Sequence, residues 1–241
     1  MIRLCGKVAV TGGATGIGQA CVRALVEAGA TAISIDLKIN PACTSIVSDV
    51  AEEGDLAAAF KKVGPLDGLI CAAEIQSNTG LQDMCWEHWQ KVMAINVRGP
   101  MLSMKHANLK KNSGIVLVSS ALAHQGSEGQ LAYIVSKGAL LGLMRASSGE
   151  FALKDIRVNA ISPRSFCYSS DETGVAISFN EEEYSGQSPN RQPEGQDCRL
   201  DEMANCAVFL LSKNAQFIIG TELILDCWQW RRRQTRCQKL K

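Results

Sequence analysis

Tyr133 and Lys137 stand four residues apart in a run with helical patterning, Leu131–Ala152. That spacing puts a phenol and an ammonium on one face of a helix. The ammonium favours the phenolate and lowers a phenol pKa from about 10 towards neutrality, each unit being worth about 1.4 kcal/mol. A phenol tuned this way is a general acid and base for a carbonyl/alcohol pair. The same spacing also occurs in ordinary helix contacts, so the pair gains meaning from what else the chain provides.

A second group lies ten residues into the chain, at Thr11-Gly12-Gly13-Ala14-Thr15-Gly16-Ile17-Gly18. It follows the apolar run Lys7–Val10 and opens a helical run, Ile17–Ala28. Strand, glycine-rich turn and helix together hold a pyrophosphate: the glycines let the backbone approach the ligand, and the helix start offers unpaired N–H groups to its oxygens. Asp36 follows eighteen residues after Gly18, at the end of the apolar run Ala32–Ile35. An acid there accepts hydrogen bonds from adenosine ribose hydroxyls and repels a 2′-phosphate. Leu37 follows it, so no arginine is adjacent to hold that phosphate, although Lys38 is close by. Asp49, before Val50, is placed either to bond an adenine amino group or to cap a helix whose first turn holds Glu52 and Glu53.

The elements that must carry these residues alternate. Strands are expected at Val8–Val10, Ala32–Ile35, Gly68–Ala72, Ile115–Val118, Arg157–Ile161 and Glu222–Leu225. Helices are expected at Ile17–Ala28, Leu56–Val63, Trp86–Met104, Leu131–Ala152 and Asp201–Leu211. The alternation predicts an α/β fold: a Rossmann-type, doubly wound parallel sheet with helices on both faces, in a single domain. Two segments break the rhythm. Residues 164–197 are rich in Ser, Glu, Gly and Pro and read as a lid loop over the substrate. Residues 227–241 carry Trp228, Trp230 and a basic run from Arg231 to Lys241, and read as a solvated tail or a docking surface for a partner subunit. Residues 1–226 form the domain itself.

Composition narrows the classes. The 241 residues carry a formal net charge of +1, which marks no nucleic-acid partner. No apolar run has the length of a membrane span, and the N-terminus lacks a secretory leader's apolar core, so a cytoplasmic protein without a membrane partner is expected. The ten cysteines include no CxxC pair, which predicts mostly free thiols and no metal site.

These motifs in this order resemble the short-chain dehydrogenase/reductases, in their compact single-domain branch. The resemblance runs from Gly6 to Asp226. It rests on Thr11–Gly18, Asn96 in Asn96-Val97-Arg98-Gly99, Ser119-Ser120, Tyr133-xxx-Lys137, Arg157–Pro163 and Phe217–Glu222. Ser120 lies thirteen residues before Tyr133, the usual gap to the family's catalytic serine. The resemblance implies four catalytic residues. Tyr133 exchanges a proton with the substrate oxygen, and Ser120 hydrogen-bonds that oxygen. Lys137 binds the nicotinamide ribose and tunes Tyr133, and Asn96 holds a water in a proton relay. It implies cofactor contacts from Gly12, Thr15, Gly16, Ile17, Gly18, Asp36, Asp49, Val50, Ala72, Ala73, Tyr133, Lys137 and Pro163. His124 and Arg164 border the substrate, whereas His88 and His106 carry no signal beyond a helix surface. NAD is expected rather than NADP, with a homodimer or homotetramer as the assembly.

The chain departs from the family pattern in several places. The first strand looks one residue short. A family glycine is replaced by Glu74 in Cys71-Ala72-Ala73-Glu74, so a charge either enters the site or points away. Arg164 replaces the glycine after Pro163 and is placed to narrow the pocket, reach a phosphate or pair with Glu74. Tyr168 replaces a threonine, and Asp226-Cys227-Trp228 replaces the usual glycine pair. Three functions follow. The first is NAD(H)-dependent interconversion of a secondary alcohol and a ketone. The second is non-redox chemistry in the same pocket: isomerisation, cyclisation or dehydration. The third is a cofactor-binding protein that has lost catalysis and uses its tail for interaction. Five acids between Ser165 and Asn190 favour a small neutral substrate over an anionic one.

Overall fold

The computed structural model describes residues 2–164 and 198–225. Residues 165–197 of the expected lid loop, Cys167 and Tyr168 among them, and the basic tail with Asp226 lie outside the described residues.

Seven parallel strands form one sheet: β1 (Lys7–Thr11), β2 (Thr31–Asp36), β3 (Thr44–Val47), β4 (Leu66–Cys71), β5 (Leu109–Val118), β6 (Arg157–Pro163) and β7 (Glu222–Leu225). Their order is β3-β2-β1-β4-β5-β6-β7. The chain starts at β1, winds outward to β3, then crosses back to β4 on the other side of β1. Strand order therefore reverses between β1 and β4, and ligands of such sheets bind beyond the strand C-termini at that reversal. Among the described residues, six α-helices cover the sheet: α1 (Gly16–Glu27), α2 (Glu53–Val63), α3 (Trp86–Met93), α4 (Gly99–His106), α5 (Leu131–Ala152) and α6 (Leu200–Leu211).

The central strands are buried on both faces, which explains their continuous apolar runs. Alternate side chains feed two cores. Leu69, Ile115, Leu117 and Val158 meet α2, α4 and α5 on one face. Val8, Val10, Ile70 and Val116 meet α1 and α6 on the other. Burying each such side chain contributes roughly 1.5–3 kcal/mol. The seven described cysteines are free. Burial pushes the Cys21 and Cys71 thiols up to about 12, so both act as small apolar fillers.

Four elements differ from the sequence expectation, and the first is β5, which starts six residues before the expected Ile115. Thr11 closes β1, paired with Ile35 and Cys71, so the first strand has five residues and is not short. β3 was absent from the expected strands because it is a four-residue edge strand with no fully buried side chain. The expected helix Trp86–Met104 is interrupted by a π-turn, Ala94–Arg98, and then runs on to His106. Pro100 supplies the reason. It has no N–H to give the Asn96 carbonyl, so the regular ladder cannot continue through it.

Candidate functional site

The glycine turn joins β1 to α1 at the strand-order reversal. Gly12 has φ of +70°, and a Cβ there would come within 2.6 Å of the Ala73 backbone. A Cβ on Gly18 would lie 2.0 Å from the Gly12 carbonyl oxygen. The turn is thus folded tightly on itself and against Ala72 and Ala73, whose segment is tied to β1 by the Ala72 N–H donating to Thr11 O at 3.1 Å. Thr15 precedes α1 in extended backbone and places no side-chain oxygen on the helix start, and no acid lies in its first turn. The amides of Gly16, Ile17 and Gly18 therefore begin a helix with room for an anion.

Asp36 ends β2 beside this turn. Its Oδ2 accepts from Ala14 N at 3.0 Å, and its Oδ1 accepts from Lys38 N at 3.0 Å. Each carboxylate oxygen keeps a lone pair for a further donor. Asn40, buried and absent from the sequence reading, donates its Nδ2 to Gly13 O at 2.7 Å and braces the turn from the far side. No spacing rule marks it; it is a polar residue in a Pro-containing loop. Asp49 Oδ1 accepts from Ala51 N at 2.8 Å. It shapes the turn before α2 and does not cap that helix, which Glu52 precedes. Val50 is buried against Gly99.

The other end of the cleft is built from side chains. Tyr133 and Lys137 share the buried face of α5, with Nζ 5.5 Å from the phenol ring centre. Lys137 is 1% exposed. Its Nζ donates to Val118 O, the last carbonyl of β5, at 2.8 Å. The neighbouring Ser119 Oγ donates to Lys137 O at 2.9 Å, so strand and helix hold each other in register. Ser120 caps a 3₁₀ turn, Ala121–His124: its Oγ accepts from Leu122 N at 3.2 Å and lies 3.5 Å from Pro163 O.

Glu74 enters this site. Its Oε2 forms an ion pair with Lys137 Nζ and sits 3.5 Å from the Tyr133 hydroxyl. Of the two orientations the sequence left open, the inward one is observed. Asn96, buried in the π-turn, fixes the segment behind it. Its Oδ1 accepts from Ile75 N at 2.8 Å, and its Nδ2 donates to Ile75 O at 2.9 Å. The second Nδ2 hydrogen goes to Ser136 Oγ at 3.0 Å, and Ser136 Oγ donates to Tyr133 O. Both Asn96 side-chain hydrogens are thus committed to protein. Ser136 escaped the sequence reading, although its place inside Tyr133-xxx-Lys137 was the available signal.

The remaining candidates have defined partners. His124 Nε2 lies 2.7 Å from Glu222 Oε1, which also accepts from Ser162 Oγ. Arg164 Nη1 donates to Gln125 Oε1 at 3.3 Å, a partner the sequence reading did not name. His88 and His106 do more than face solvent, meeting Ser77 Oγ and Glu53 Oε1 at 2.9 Å each. Among the described residues no cluster is placed to hold a metal, and no helix is long and apolar enough to cross a membrane.

The cleft thus offers an anion cradle at one end, and a phenol, an ammonium, a hydroxyl and a carboxylate at the other. A protein-family model described as enoyl-(acyl carrier protein) reductase matches residues 12–227. The xanthoxin dehydrogenase of Arabidopsis thaliana is 31% identical over 263 residues, covering 93% of this chain and 90% of its own length. A (+)-cis,trans-nepetalactol synthase of Nepeta racemosa is 30% identical over 249 residues, with 92% of each chain covered. Among solved structures, the ligand-free aldohexose dehydrogenase of Thermoplasma acidophilum superposes with a TM-score of 0.81 at 26% identity, with 92% of each chain covered.

Proposed function

The chain belongs to the short-chain dehydrogenase/reductase family, a family that binds a nicotinamide cofactor, and from that premise we propose that it is an NAD-dependent oxidoreductase interconverting a secondary alcohol and a ketone. The observation that carries this reading is the buried Tyr133–Lys137 pair, with the ammonium 5.5 Å from the phenol ring and anchored to Val118 O.

The residues present fit the cofactor. The Gly12–Gly18 turn and the open start of α1 would hold the pyrophosphate. Asp36, fixed by two backbone amides, would hold the adenosine ribose and disfavour a 2′-phosphate, which supports NAD over NADP. Asp49, Val50, Ala72, Ala73 and Pro163 would line the rest of the cofactor. When bound, the cofactor supplies the hydride-accepting or hydride-donating carbon. The protein supplies everything else. Tyr133 Oη passes a proton to or takes one from the substrate oxygen, Ser120 Oγ positions that oxygen, and the Lys137 ammonium stabilises negative charge on Oη. Asn96 positions the segment after β4 and the start of α5 around them, whichever water completes the relay. His124 and Arg164 border the substrate, taken to be a small neutral alcohol or ketone. The family resemblance supports a homodimer or homotetramer as the working form, and the lack of a long apolar run supports a cytoplasmic location.

One observation favours a second reading. Glu74 occupies the ammonium that the oxidoreductase needs, and a relative of 30% identity is named as a nepetalactol synthase. Cyclisation or isomerisation in the same pocket would use Tyr133 without net hydride transfer. Absorbance at 340 nm separates the two. Incubation with NAD and a panel of secondary alcohols is expected to raise it in step with ketone formation. Product formed at constant absorbance supports the second reading, and bound cofactor with no product from any substrate overturns both.

A further inference from the structure

The site holds a carboxylate that the proposed reaction does not use. Glu74 lies just past the C-terminus of β4, at the strand-order reversal, and reaches both Lys137 Nζ and the Tyr133 hydroxyl. It is not a chance rotamer on a loose loop, because Asn96 clamps the next residue through both its N–H and its C=O. Lys137 is fully buried and Glu74 is only partly exposed, at 24% of its side chain, so the pair is screened little by solvent. Arg164 donates to Gln125 Oε1, and His124 meets Glu222 Oε1.

Without Glu74 the reacting centre would carry the single positive charge of Lys137. With it, the centre is neutral overall and presents a carboxylate beside the phenol. The two redox forms of a nicotinamide differ by one charge on the ring: the oxidised ring is cationic and the reduced ring is neutral. A fixed anion therefore distinguishes them, while shape alone does not.

Resting on the reading of Tyr133 and Lys137 as the nicotinamide end, we infer that Glu74 is a specificity-determining residue that selects the oxidised cofactor over the reduced one. Where both forms are present at similar concentration, the protein takes up the oxidised form in preference and releases the reduced form more readily. At an effective dielectric constant near 20, a unit charge within about 10 Å of the ring would change the relative affinity by about tenfold or more.

Calorimetric titration with NAD and with NADH tests this without any turnover. In the unaltered protein the Kd for NADH is expected to exceed that for NAD. Glu74→Gln keeps the shape and an oxygen for Lys137 but removes the charge, and is expected to shrink the ratio of the two Kd values about tenfold. Glu74→Asp keeps the charge and is expected to preserve most of the ratio, which guards against a general effect on folding. An unchanged ratio in Glu74→Gln overturns the inference and leaves the proposed function standing. Binding of neither form to the unaltered protein overturns both.

Discussion

The two ends of the cleft are built on different principles. At the Asp36 end, backbone does the work. The turn at Gly12–Gly18 is closed by contacts that leave no room for a Cβ, and Asp36 and Asn40 brace it through main-chain amide and carbonyl groups. At the Tyr133 end, side chains do the work: a buried ammonium, a phenol and a carboxylate balance one another's charge. A site made of backbone tolerates few substitutions but keeps its function when its exposed neighbours change. A site made of charges can be retuned by a single residue, and Glu74 in place of the family's glycine is such a change.

The contrast can be broken from either side. Gly18→Ala puts a Cβ 2.0 Å from the Gly12 carbonyl oxygen, so the turn must rearrange. NAD affinity, measured by calorimetry, is expected to fall at least about a hundredfold. Lys137→Met removes the buried ammonium from the other end. Turnover is expected to fall by about a hundredfold, with NAD affinity falling far less. A larger loss of binding in Lys137→Met than in Gly18→Ala would reverse the division of labour. Asp36→Ser removes the acid proposed to hold the ribose while keeping a short acceptor. The ratio of NADP to NAD affinity is expected to rise about tenfold, with Tyr133 chemistry unchanged at saturation.

The smallest effect belongs at the opposite end of the strands, near the start of the central strand β4. Burial disfavours charge on Asp67, but hydrogen bonds from Lys110 Nζ at 2.9 Å and Lys7 N at 2.8 Å outweigh it and hold the carboxyl below its usual range. A lowered folded-state pKa stabilises the fold above the unfolded value of about 3.8, and this contribution is lost as pH falls through the folded value. Asp67→Asn is expected to cost about 0.5 kcal/mol at pH 7, and the difference from the unaltered protein should vanish in strong acid. Cofactor affinity should not move. Urea denaturation across pH measures the first, and calorimetry the second.

What the sequence revealed follows the same division. Doubly buried strands leave uninterrupted apolar runs, and a turn that needs Gly12 and Gly18 shows its glycines openly. The sheet, α1, α5 and the cradle were therefore legible. Elements held by edges or by mixed interactions were not. β3 pairs on one side and buries no side chain completely, so its residues carry little pattern. The π-turn needed the connection between Pro100 and the Asn96 carbonyl, whereas the apolar periodicity runs across it. Side-chain partners were least legible. The turn between β4 and α3 decides where Glu74 points, and Asn96 decides the turn from 21 residues away. Glu222 meets His124 across 98 residues, and Gln125 meets Arg164 across 39. Such contacts depend on tertiary placement, which local spacing does not encode.

Tyr133 is the proposed acid and base of a hydride-transfer reaction. Tyr133→Phe removes only the hydroxyl from a side chain whose ring is buried against the core. With NAD saturating, the rate of 340 nm absorbance change on a secondary alcohol accepted by the unaltered protein is the direct measurement. The expected result is a fall of about a thousandfold in kcat with an unchanged Kd for NAD. Full turnover by Tyr133→Phe would contradict the assignment.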